Sequence, residues 1–120
     1  MKTVQVSDLS GAALDWAVAM AEGLEPLIED GKVYTFINNE SDFMLSFEPS
    51  IDWRRAGPII ERENILLNVD SNGGHCAQLF GTISPVCHGA TKLEAVMRAY
   101  VSHKLGNTIE VPAVLVEGEA

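Results

Sequence analysis

No apolar run in the sequence approaches the roughly 18 residues that a membrane-spanning helix requires, so no such helix is expected. The opening residues Met1-Lys2-Thr3-Val4-Gln5-Val6 alternate and lack the apolar stretch of a secretory signal, and the expected location is cytoplasmic. Basic residues are scarce: eight Lys and Arg stand against 17 Asp and Glu, for a formal net charge of −9. Such a balance disfavours duplex nucleic acid, whose non-specific binding relies on cations neutralising phosphates. It leaves room for a local basic pocket that takes a small anion, and for an acidic face that imitates nucleic acid toward another protein. It also serves plain solubility. Cysteine is limited to Cys76 and Cys87. Each stands beside a histidine, but adjacent strand residues face opposite ways, so His75 and Cys76 are poorly placed to share a metal. The paired spacings of zinc sites are absent, and two buried, reduced thiols are expected. No phosphate-binding glycine loop, zinc-protease helix or nucleophile elbow occurs. The reading is of a protein without catalytic activity, metal or cofactor.

What the sequence does contain fits one domain. At 120 residues the chain can bury roughly two-thirds of its unfolded surface around a single core. The domain is expected over residues 1–116, with residues 117–120 as a flexible acidic tail. Ser10 is a natural N-cap and Gly23 a natural stop for a first helix, in which Leu14, Ala17, Val18 and Ala21 share a face. The alanines suit close approach to a sheet. Lys32 to Ile37 and Phe43 to Phe47 alternate around the turn-forming residues 38–42, as two strands of a hairpin do. Residues 65–69 and 75–80 form a second pair across Ser71-Asn72-Gly73-Gly74. Thr91-Lys92-Leu93-Glu94 has capping-box spacing. It opens a helix whose apolar positions recur from Leu93 to Leu105, and a short extended segment follows, ending at Pro112. The expected class is α+β: a small antiparallel sheet of two hairpins, with two main helices packed on one face.

Three blocks carry a family resemblance. Leu9-Ser10-Gly11-Ala12-Ala13-Leu14-Asp15-Trp16-Ala17-Val18-Ala19 resembles the opening of the NinX-like proteins of tailed bacteriophages, a family of unknown function. Phe47-Glu48-Pro49-Ser50-Ile51-Asp52-Trp53 and Gly57-Pro58-Ile59-Ile60-Glu61 are similar to its central block. Residues 95–101, with Lys104-Leu105-Gly106 and Glu110-Val111-Pro112, resemble its last helix and exit. Ala56, Ile51 and the pair Arg54-Arg55 depart from the family pattern, so any role of the two arginines is local to this chain. The resemblance implies phage origin and an accessory role during infection. It brings no reaction and no catalytic residue.

Pro49, Gly57 and Pro58 predict irregular backbone through the central block, with Trp53 on a turn or loop. There the indole offers a stacking face, Arg54 and Arg55 suit phosphates or carboxylates, and Asp52 and Glu61 can accept from hydroxyls or a base edge. Gly57 beside Pro58 lets a ligand approach the backbone. The competing reading has Trp53 capping the core and its neighbours merely solvated. Trp16 either lines a groove with Trp53 or packs in the core. Arg98 either pairs with an acid such as Asp15 or Glu61, or meets a ligand anion. The leading expectation is a phage counter-defence protein that sequesters a small, anionic, nucleotide-like signalling molecule, as a homo-oligomer in the cytoplasm of the infected host. The alternatives are an acidic inhibitor of a host protein and an enzyme that degrades such a signal.

Overall fold

The computed structural model describes residues 1–36, 44–81 and 86–117. Two helices form its centre. The first, α1 (Gly11–Ala21), buries Ala13 through Ala19 without a break, so it is enclosed on every side. The second, α3 (Lys92–Leu105), buries Leu93, Ala95, Val96, Met97, Ala99, Tyr100 and Val101. The two pack on each other, and the small side chains of α1 permit the close approach that was expected toward a sheet.

The strands fall into three antiparallel sheets among the described residues. β1 (Lys2–Gln5) pairs with β8 (Thr108–Val111), Lys2 standing opposite Val111. β2 (Leu27–Glu29), β3 (Lys32–Phe36) and β4 (Met44–Ser46) form a second sheet, which meets α1 through β3. β5 (Ile65–Val69), β6 (His75–Leu79) and β7 (Cys87–Gly89) form the third, laid on α3. Both expected hairpin pairings are present, Thr35 facing Leu45 and Leu67 facing Ala77. The turn expected over 38–42 and the strand ends at Ile37 and Phe43 lie outside the described residues, as do positions 118–120 of the tail. The α+β class holds, but the two hairpins do not join into one sheet with both helices on one face. Both helices are apolar around most of their circumference, so they pair centrally and each covers a sheet of its own.

The central block differs most from expectation. Residues Trp53–Glu63 form a helix, α2, not a loop. Asp52 caps it, its Oδ1 accepting the Arg54 N–H at 2.9 Å, and Asn64 ends it in the left-handed region at φ 53°. Pro58 lies inside and removes one backbone donor, yet it is exposed, where water can serve the freed Arg54 carbonyl. Burial of Ala56 and Ile59, three residues apart on one face, holds the helix against that loss. A polar staple fixes its far end. Arg62 donates to Glu22, to Glu63 and, at 3.1 Å, to the Tyr100 hydroxyl, which itself donates to Glu22. Burial pushes the Tyr100 hydroxyl pKa well above its usual value, with the adjacent Glu22 carboxylate adding to it. The end of α1, α2 and α3 thus share one network. A last short helix, α4 (Val114–Glu117), closes over α1 through Leu115.

Candidate functional site

The segment leading into α2 is a tight turn tied to α1. Ile51 and Asp52 both donate their N–H groups to the Glu48 carbonyl, at 3.0 and 2.8 Å. Ser50, buried, donates its N–H to Asp15 Oδ1 at 2.8 Å. Asp15 is itself only 3% exposed, and burial raises its pKa to about 6 despite the Ser50 hydrogen bonds, which pull it down. With Pro49 and Ser50 drawn inward, the next side chains point out. Ile51 is 71% exposed and Trp53, the first residue of α2, 53%.

Trp53 stands over a cleft of about 390 Å³. Ser50 and Ile51 continue its wall, Thr91, Lys92 and Leu93 at the start of α3 supply another, and His75 of β6 also lines it. The capping predicted at α3 is present in modified form: Thr91 Oγ1 accepts the Glu94 N–H, while Glu94 Oε1 reaches one residue beyond the cap and accepts the Ala90 N–H. Lys92 and Leu93 belong to the first turn of α3, whose N–H groups have no partner within the helix and form its positive end; Lys92 is exposed and Leu93 buried. His75 Nδ1 is buried and has no hydrogen-bond partner among the described residues. Among the described residues no carboxylate lines this cleft.

On the other side of Asp52 lies a second cleft, of about 320 Å³, lined by Leu45, Ser46, Asp52, Arg54 and Arg55. The Arg54 guanidinium reaches Asp52 at 3.3 Å but is 91% exposed, so the pair adds little to stability. The Arg54 N–H, followed by its side chain, holds the Asp52 carboxyl below the usual carboxylate range. Arg55 is half-buried; its N–H donates to the Asp52 carbonyl at 3.1 Å, while its guanidinium donates no hydrogen bond among the described residues.

The structure separates the residues that sequence reasoning grouped. Trp53 faces one cleft, and Asp52, Arg54 and Arg55 the other. Gly57, Pro58 and Glu61 lie further along α2 and line neither. A Cβ at Gly57 would meet nothing within 4 Å. Trp16 does not share a groove with Trp53. It is 8% exposed, within the stretch Ala13 to Ala19 that α1 buries without a break. Arg98 reaches neither Asp15 nor Glu61. Its guanidinium donates to the Leu9 and His88 carbonyls at 2.8 Å each and pairs with Glu94, tying the start of α1 and β7 to α3. Sequence reasoning missed Ser50, His75 and Lys92. The capping signal marks a helix start at residues 92 and 93, but only the fold brings it beside Trp53.

Cys76 and Cys87 form no disulfide among the described residues; both are half-buried rather than buried, and burial raises the Cys87 pKa. Among the described residues no three His, Cys, Asp or Glu converge as metal ligands, and no helix is long and apolar enough to cross a membrane. No curated protein matches the chain. Residues 5–104 match the family model described as Bacteriophage P22, NinX, and the chain belongs to that bacteriophage family.

Proposed function

We propose that this phage accessory protein binds and sequesters a small nucleotide-like signalling molecule inside the infected bacterium, without chemistry, and so blunts a host defence. The observation that carries the reading is the exposed Trp53 over a concave cleft. A large aromatic usually gains by burial, and one held half in solvent beside a cleft presents a stacking face for a base. The positive end of α3, the Lys92 ammonium and the lack of a lining carboxylate among the described residues suit a phosphate there.

Isothermal titration against mononucleotides, linear and cyclic dinucleotides and ADP-ribose derivatives tests the proposal. Saturable binding is expected, with quenching of tryptophan emission and recovery of intact ligand after heat denaturation. Turnover of the ligand would replace sequestration by catalysis. Silence from every nucleotide would sink the reading altogether.

A further inference from the structure

The distribution of cations narrows the ligand further. Of the eight Lys and Arg in the chain, Arg62 and Arg98 are committed to internal partners. Three others, Arg54, Arg55 and Lys92, line the two clefts on either side of the start of α2. Among 17 acidic residues, Asp52 is the one carboxylate lining either cleft among the described residues. A chain with net charge −9 therefore sets three cations against one carboxylate at this place. Chance placement on so acidic a surface would favour the opposite sign.

These cations do not converge on one point. Lys92 belongs to the cleft under Trp53, while Arg54 and Arg55 belong to the cleft beyond Asp52. Trp53 lines one cleft and Arg54 and Arg55 the other, from consecutive positions that project about 100° apart around a helix which, with its side chains, is roughly 10 Å across. A single phosphate is too small to touch both sides. A molecule with a ring on Trp53 and an anionic group on each side would engage all three cations. Arg55 is the better placed of the two arginines, since Arg54 is nearly fully solvated and already bonded to Asp52.

We infer that the site takes a ligand with two anionic groups flanking one stacked base, a dinucleotide rather than a mononucleotide, with Lys92 and Arg55 holding opposite ends. This rests on the proposed binding at Trp53 and adds a second arm to it. Two guanidinium donors favour a phosphate held bidentately, whereas Lys92 and the helix amides act as a point of positive potential.

The experiment is a calorimetric titration of wild type, Lys92→Ala and Arg55→Ala with a nucleoside monophosphate, a linear dinucleotide and a cyclic dinucleotide. The dinucleotide that fits is expected to bind at least about tenfold tighter than the monophosphate. Each substitution should weaken it about tenfold, while the monophosphate responds to only one of them. Equal affinity for the two ligand classes, or a dinucleotide indifferent to Arg55→Ala, overturns the two-armed site and leaves the Trp53 cleft standing. No binding of any nucleotide overturns both. Circular dichroism spectra matching wild type would show that these surface substitutions leave the fold intact.

Discussion

Asp15→Asn should make the protein more stable at neutral pH and do nothing of the kind in acid. The Asp15 carboxyl is raised from 3.8 to about 6 because burial penalises its charged form more than the Ser50 hydrogen bonds reward it. A folded-state pKa above the unfolded one means that folding takes up a proton between those two values. The stabilising contribution of this proton is full below pH 3.8, fades as pH rises, and is gone above pH 6. A shift of about two units at 1.36 kcal/mol each corresponds to roughly 3 kcal/mol. Asparagine keeps an oxygen that can accept the Ser50 N–H and carries no charge. Its amide N–H₂ needs a partner in the same buried place, which costs about 1–2 kcal/mol. Urea unfolding followed by circular dichroism, for both proteins at pH 4 and pH 7.5, isolates the effect. The difference between variant and wild type should move by roughly 2–3 kcal/mol in favour of the variant from the lower pH to the higher. Taking that difference removes the contribution of Asp52, Glu63 and Asp70, whose lowered pKa values act in the opposite sense. A difference that is the same at both pH values would refute the argument that ionised Asp15 is strained by burial.

Other perturbations have equally definite outcomes. Tyr100→Phe deletes the hydroxyl shared by Glu22 and Arg62, and denaturant unfolding should show a loss of about 1.5–3 kcal/mol, typical of hydrogen bonds to charged groups. Gly89→Ala would place a Cβ 2.5 Å from the Ala95 nitrogen, so β7 must lift from α3; a loss of about 1–3 kcal/mol and a changed near-ultraviolet dichroism spectrum are expected. Trp53→Ala should leave the unfolding midpoint nearly unchanged, within about 0.5 kcal/mol for so exposed a side chain, and abolish nucleotide binding in calorimetry.

Elements set by local chemistry were legible in the sequence. The capping box at Thr91, the apolar spacing from Leu93 onward and the glycine-rich turn before His75 each specify their structure within a few residues. The α2 helix was not, because Pro58 reads as a breaker unless its exposure is known, while the signals in its favour, Asp52 as cap and the Ala56–Ile59 spacing, are short. Trp53 was singled out on the central block, and the structure leaves it half exposed. Its companions were not legible, since Lys92 and His75 reach it only after α3 and β6 have been placed. Sequence neighbourhood suggested that Trp53, Arg54 and Arg55 act on one spot. Consecutive residues at a helix start project about 100° apart, and that rotation alone distributes them between two clefts.

The enclosure of α1 has a consequence for how the protein is made. This helix needs α3 as its main neighbour, yet α3 begins about 70 residues later in the chain. At ribosomal rates of 5–20 residues per second, roughly 4–14 s separate the two. During that interval the stretch from Ala13 to Ala19 has no permanent shelter, and the Arg98 bond to the Leu9 carbonyl, which fixes its entry, cannot yet exist. Core assembly must therefore wait for the C-terminal third of the chain. Nascent chains stalled before Arg98 should be sensitive to protease and bound by chaperones that recognise apolar helices. A sudden gain in protection is expected once α3 has cleared the ribosome.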